Sequence, residues 1–253
     1  MASQPNQNYT TFADLYDQLF DNQVYQEWLS FIQDRTKPEA VLDIGGGNGR
    51  LAVLLAQVGY QVTILDQSAA MLTLADRRAS QAGVSVQILE GDMRDFSAWD
   101  QKYPLIVSTV DTLNYLPTEK DLAATLAQVY EHLDDGGRFL FDVITPYQVN
   151  VGYDQYYYNN DDDPDHIFMW TAFPGEEADS VDHDLKFFNY DESRDAFALL
   201  REVHHEQTYS LEVYQRLLKQ AGFGEVAVWA DFGQAEVGPE TERWFFQAKK
   251  VKE

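Results

Sequence analysis

Much of the chemistry legible in this chain of 253 residues sits in one run, Val41-Leu42-Asp43-Ile44-Gly45-Gly46-Gly47-Asn48-Gly49-Arg50. It reads as a buried strand that ends in a glycine turn and opens into a helix. Without a Cβ, the turn can be sharp and a ligand can approach the backbone closely. Asp66 closes the next apolar run, 19 residues after Gly47, where a carboxylate can accept from both hydroxyls of a ribose. The chemistry on offer is therefore the binding of a cofactor with an adenosine part.

Two cofactor classes compete for such a site. Gly47-x-Gly49-x-x-Ala52 fits the G-x-G-x-x-A form of the dinucleotide fingerprint, which would suit a nicotinamide-dependent oxidoreductase. Against that, Asp43 precedes the first glycine by two residues, and three consecutive glycines make a turn wider than a pyrophosphate grip needs. No second α/β substrate domain follows either. The balance favours S-adenosylmethionine (SAM).

The elements that must position this site follow from apolar spacing. Phe12, Leu15, Tyr16 and Leu19, then Tyr25, Trp28, Leu29 and Ile32, recur at helical spacing, with a break expected near Asp21-Asn22 and an end at Lys37-Pro38. Strands over 41–44, 61–65, 86–89, 105–110 and 138–144 alternate with helices over 49–58, 68–82 and 118–133. Short apolar strands of this kind belong to a sheet covered by helices on both faces. Asp134-Asp135-Gly136-Gly137 reads as the turn before the fifth strand. After Thr145-Pro146 the helical period disappears, and β segments are expected around 156–158, 166–173, 181–190 and 197–207. A helix over 210–221 and strands over 225–231 and 244–249 restore the pattern, the last strand pairing antiparallel at the sheet's end. The expected division is a helical cap over 1–36, a Rossmann-like core over 37–146 and 210–253, and an acidic β lid over 147–209.

The chain carries 42 acidic and 18 basic residues, a formal charge of −24. Such a surface repels phosphate backbones and anionic lipid, so nucleic acid and membrane are not expected partners. A cationic or neutral small molecule, or a basic protein, suits the field better. There is no cysteine, hence no disulfide or thiolate chemistry. The first residues lack the basic and apolar stretches of a signal peptide, and no window approaches the roughly 18 apolar residues of a membrane helix. A cytoplasmic location is the expectation, and a homodimer stays open.

Residues 41–50, Asp66, Glu90-Gly91-Asp92-Met93 and the segment 217–226 together resemble a class I SAM-dependent methyltransferase. The resemblance spans the chain from about residue 12 to its end. Phe12-Ala13-Asp14-Leu15-Tyr16-Asp17 and Glu202-x-His204…Tyr209 are similar to a bacterial subgroup of largely unassigned, small-molecule-type enzymes. Amino-sugar and glycine-type N-methyltransferases resemble it more distantly. The resemblance implies an α/β, doubly wound sheet of seven strands with the last antiparallel. It implies Asp43 and Gly45, Gly46, Gly47, Asn48 and Gly49 around the methionine and ribose, and Asp66 on the ribose, with Gln67 and Met71 beside it. It places Asp92 on the adenine amino group, Met93 on the ring, and Thr109 to Asp111 along the sulfonium side.

Methyl transfer is an in-line displacement in which the protein supplies proximity, alignment and exclusion of water. A hydroxyl or protonated amine acceptor needs a base; a neutral amine does not. In the last lid strand, alternation puts Glu202, His204 and Glu206 on one face, where a histidine between carboxylates could act as a base or grip a cationic substrate. Against this stands a plain polar strand face. The same residues, or Asp161-Asp162-Asp163, are weak metal ligands, and no metal is expected. Tyr16, a catalytic candidate beside His204, either folds over the cofactor or belongs to a buried helix face; Tyr25 and Trp28 lean toward the core. Asn114 and Tyr115, in the loop after the fourth strand, are acceptor-facing candidates. Eleven aromatics between Tyr147 and Tyr190 could roof a cationic or apolar substrate. The alternative to turnover is a SAM-binding protein that acts as a sensor or partner.

Overall fold

A computed structural model describes residues 23–251. Helix α1 (Gln23–Gln33) leads into β1 (Ala40–Ile44), α2 (Arg50–Gln57), β2 (Gln61–Asp66), α3 (Ala69–Ala82), β3 (Val86–Glu90) and β4 (Tyr103–Ser108). Helix α4 (Glu119–His132) and β5 (Leu133–Ile144) complete the first half. The lid strands β6 (Tyr157–Asp163), β7 (His166–Pro174), β8 (Ser180–Asp191) and β9 (Ala196–Gln207) follow. Helix α5 (Leu211–Ala221), β10 (Glu225–Trp229) and β11 (Arg243–Lys249) close the chain.

The main sheet has seven strands in the order β10-β11-β5-β4-β1-β2-β3. Adjacent residues of one strand serve opposite layers. Leu42 packs with α4 and α5 residues such as Leu126 and Leu217, and Val41 packs with Leu51, Leu55 and the α1 residues Trp28 and Ile32. Burial on both faces is why the parallel strands read as unbroken apolar runs. Tyr16, expected over the cofactor, lies outside the described residues.

Three expectations need correction. The last strand is antiparallel, but it inserts between β5 and β10 instead of closing the edge. Each of Trp244, Phe245 and Phe246 is buried, and a strand this apolar on both faces belongs inside a sheet. The strand β5 begins at Leu133, before the acidic-glycine run. Its register jumps from Tyr103↔Leu133 to Leu105↔Arg138, so residues 134–137 form an irregularity inside the strand rather than a separate turn. The strand expected over 225–231 stops at Trp229, because Asp231 and Phe232 take left-handed φ of 44° and 49° and end the ladder.

The lid is a four-stranded antiparallel sheet in the order β6-β7-β8-β9. Its entry and exit are tied together at the main sheet. Asn114 donates from Nδ2 to the Gln207 carbonyl at 2.9 Å and accepts from the Ile144 N–H at 3.0 Å. Thr208 donates from its hydroxyl to the Ile144 carbonyl. The lid is thereby anchored where β5 ends.

Candidate functional site

The carboxyl ends of β1, β2 and β4 meet the inner face of the lid across one cleft of about 780 Å³. Its floor is the glycine turn. Gly45 takes φ +67°, and a Cβ there would stand 2.2 Å from Thr112 Cγ2, so the turn and the loop after β4 approach too closely for any side chain. Gly47 has open space where its side chain would be, and its N–H donates to Asp66 Oδ2 at 2.9 Å. Asp66 Oδ1 accepts from the Ser68 N–H at 2.8 Å. One carboxylate thus holds the turn and the start of α3 in register, and it still borders the cleft with lone pairs to spare. Burial raises its pKa and these backbone donors oppose the rise.

Asp43 is buried, and neither carboxylate oxygen has a hydrogen-bond partner among the described residues. Burial, with the neighbouring charge of Asp66 adding to it, pushes its pKa up to about 8. An unpartnered carboxyl bordering a cleft is a receptor for a donor brought by a ligand. The open face at Gly47, the unused acceptors of Asp43 and the carboxylate of Asp66 fit a molecule with an ammonium group and a ribose, as SAM has.

Gly46, Asn48, Gln67, Met71, Met93 and Thr109 also border the cleft. Asp92 lies at the same wall, its carboxylate shared with Arg94 at 2.6 Å, which lowers its pKa. Gly49 does not border it. A Cβ there would stand 2.8 Å from Ala75 Cβ, so this glycine lets α2 lie against α3 rather than touching a ligand. Asn114 is corrected likewise: it is fully buried, and the bridge between β5 and β9 engages both ends of its amide. Trp28 is core, packed on Phe31 and Phe245, whereas Tyr25 turns toward the cleft.

Beyond β4 the backbone is strained. Val110 and Asp111 both hold left-handed φ, 57° and 52°, a costly conformation for a β-branched residue. It delivers Asp111 into the cleft, where Oδ2 accepts from Arg243 Nη2 at 2.9 Å. Arg243 also pairs with the buried Asp142, whose pKa burial raises to about 6 against the pull of the guanidinium.

Register decides which lid residues face inward. His183 pairs with His204, and Val181 with Glu206; Ala172 pairs with His183, and Trp170 with Leu185. Directly paired residues share a face, so Trp170, His183, Leu185, His204 and Glu206 belong to one surface, and all of these border the cleft. His204 Nε2 donates to Glu202 Oε2 at 2.9 Å, and Nδ1 stands 3.0 Å from the Tyr115 hydroxyl. With Nε2 donating to a carboxylate, Nδ1 accepts from the phenol. Glu202 stands behind His204 instead of bordering the cleft.

Arg243 and His183 in the cleft carry no signal along the chain, Tyr153 stands out only as one of the eleven aromatics after Thr145-Pro146, and Glu206 is placed beside His204 as part of a base or cation grip or as a weak metal ligand. Arg243 starts a strand far along the chain, and only the insertion of β11 beside β5 brings it to Asp142. The two histidines meet because of the β8–β9 register, which periodicity within either strand does not reveal.

Similarity to known proteins agrees with this geometry. A family model described as a methyltransferase domain matches residues 41–137. The provisionally named methyltransferase YqeM of Bacillus subtilis (strain 168) is 34% identical over 246 residues, covering 96% of this chain and 98% of its own. A SAM-dependent methyltransferase from Clostridium acetobutylicum ATCC 824 superposes with a TM-score of 0.83 at 25% identity, covering 97% of this chain and 99% of that one. The SAM-bound amino pentose methyltransferase CalS10 from Micromonospora echinaspora shares the fold, with a TM-score of 0.73 at 19% identity over 99% of this chain and 100% of its own.

Proposed function

The chain belongs to the class I SAM-dependent methyltransferases, and from that membership we propose that it methylates a nitrogen or oxygen of a small molecule held beneath the β lid. One observation carries the reading. The glycine turn with Asp66, and the hydrogen-bonded chain Tyr115–His204–Glu202, open on the same cleft of about 780 Å³. That volume suits a cofactor and a small acceptor, and small-molecule sites are of this size. CalS10 acts, by its name, on an amino pentose, so the fold accommodates acceptors of this scale.

Bound SAM supplies an electrophilic methyl group and a neutral sulfide leaving group. The protein's own part is to hold and orient. With SAM bound, Asp66 would hold the ribose hydroxyls and Asp43 would accept from the ammonium, while Gly47 keeps the floor open. The lid excludes water and fixes the acceptor in line. Where the acceptor must lose a proton, Tyr115 Oη takes it as the phenolic proton passes to His204 Nδ1. Glu202 keeps the ring in the tautomer that can accept.

Calorimetric titration with SAM and S-adenosylhomocysteine, with NADH as control, followed by product analysis on small amines and hydroxyl compounds, tests the reading. Micromolar binding of both adenosyl ligands and methylated small-molecule product is the expected result. Methylation confined to a protein substrate would overturn the acceptor assignment, and binding of NADH in place of the adenosyl ligands would overturn the cofactor assignment.

A further inference from the structure

Glu206 is the carboxylate that the chemistry above leaves unused. It is 5% exposed, it borders the cleft, and its Oε2 has no hydrogen-bond partner among the described residues. His183 Nε2 stands 3.7 Å away. The orientation of that ring is fixed from the other side: Trp170 Nε1 donates to His183 Nδ1 at 2.9 Å. An indole N–H only donates, so Nδ1 accepts and the Nε2 proton faces Glu206. Tyr153 packs edge-on against His183, with ring centroids 4.8 Å apart at 79°, and lies 6.0 Å from Trp170. Trp170, His183, Tyr153 and Glu206 therefore form one continuous patch of the cleft wall, two electron-rich rings beside a buried carboxylate whose Oε2 has only the long 3.7 Å contact with His183.

The charges around it decide what the patch can hold. Arg243 shares the cleft, but its guanidinium is engaged by Asp111 and Asp142. Three carboxylates, Asp111, Asp142 and Glu206, thus face one engaged cation. An anionic ligand would find no unengaged cation here, and a neutral donor could hydrogen-bond to Glu206 but would leave the buried negative charge uncompensated. A positively charged nitrogen satisfies the carboxylate and lies favourably on the ring faces. Burial and the charge of Asp111 raise the Glu206 pKa, so an arriving cation also relieves an unfavourable state.

We propose that Glu206, Trp170 and Tyr153 form a recognition site for a positively charged nitrogen on the methyl acceptor, whichever atom of that acceptor takes the methyl group. This rests on the reading that the acceptor enters beneath the lid. It narrows the acceptor class to molecules that carry an ammonium or quaternary nitrogen.

The test compares two probes of nearly equal shape, choline and its uncharged isostere 3,3-dimethylbutan-1-ol. Each is titrated by ligand-observed NMR into the full chain, with and without saturating S-adenosylhomocysteine. Choline should bind on the order of tenfold more tightly than the isostere. Glu206→Gln should bring the ratio close to one while leaving affinity for S-adenosylhomocysteine unchanged, and Trp170→Leu should lower it. Equal binding of the two probes, no binding of choline, or a preference that survives Glu206→Gln would overturn the proposal. The wild-type ratio decides the matter even if a variant fails to fold. Failure of S-adenosylhomocysteine to bind would strike the cofactor assignment instead, and the comparison without it still decides this one.

Discussion

Asp43 concentrates the electrostatics of the cofactor site in one side chain. An aspartate titrates at 3.8 in the ordinary state and at about 8 in this burial, so the folded chain keeps a proton that the unfolded chain has lost. Stability from this group is complete below about pH 4 and falls away as pH rises through about 8. Asp43→Asn removes that slope. In urea denaturation without ligand, the variant should gain on the wild type by on the order of a few kcal/mol between about pH 5 and about pH 8.5. A gap that does not move with pH would place the Asp43 carboxyl in water. At Asp66, truncation to alanine should weaken S-adenosylhomocysteine binding roughly tenfold to a hundredfold with circular dichroism unchanged; binding as tight as wild type would remove Asp66 from the ribose. For the acceptor side, His204→Ala and Tyr115→Phe should each slow methyl transfer without changing S-adenosylhomocysteine affinity. Unchanged turnover in both would leave the Tyr115–His204 contact a structural one.

Among the elements, the joint between lid and sheet matters most for the site. Asn114 sits on a short helical turn over Thr112–Tyr115 and ties the end of β5 to the end of β9. The same turn carries Tyr115 to His204, so the buried amide and the exposed phenol are set by one piece of backbone. Asn114→Ala orphans the Ile144 N–H and the Gln207 carbonyl, both buried, and should destabilise the fold by roughly 2–4 kcal/mol. Chemical denaturation measures this, and a loss under roughly 1 kcal/mol would mean that water replaces the amide. Insertion of β11 between β5 and β10 does comparable work on the other side, since it delivers Arg243 to Asp111 and Asp142.

Across the whole molecule, a formal charge of −24 surrounds the cleft proposed to take the cationic cofactor. Such a field draws cations toward the cleft and is screened over about 10 Å at moderate salt. Raising ionic strength should weaken choline binding while leaving the binding of S-adenosylhomocysteine, which carries no sulfonium charge, nearly level. Equal salt dependence of the two would mean that the acidic surface serves solubility alone. No helix among the described residues is long and apolar enough to cross a membrane.

The sequence by itself determined the parts that are local. A strand buried on both faces is apolar along most of its length, a turn that ligands approach closely favours residues without Cβ atoms, and glycine readily ends a helix, as Gly83 and Gly222 do here. Hence the βα alternation, the glycine turn, Asp43, Asp66 and the four β segments of the lid could all be read along the chain. Tertiary structure decided the rest, because those relations span strands that are distant in sequence. The place of β11 inside the sheet follows from pairing partners, not from its own residues. Asn114 looked like an acceptor contact until the close of β9 on β5 consumed its amide. Glu206, His183, Trp170 and Tyr153 come together only through the register of three strands and the turn before them. Periodicity shows which residues share a face of one strand; the neighbour across the ladder is fixed by packing.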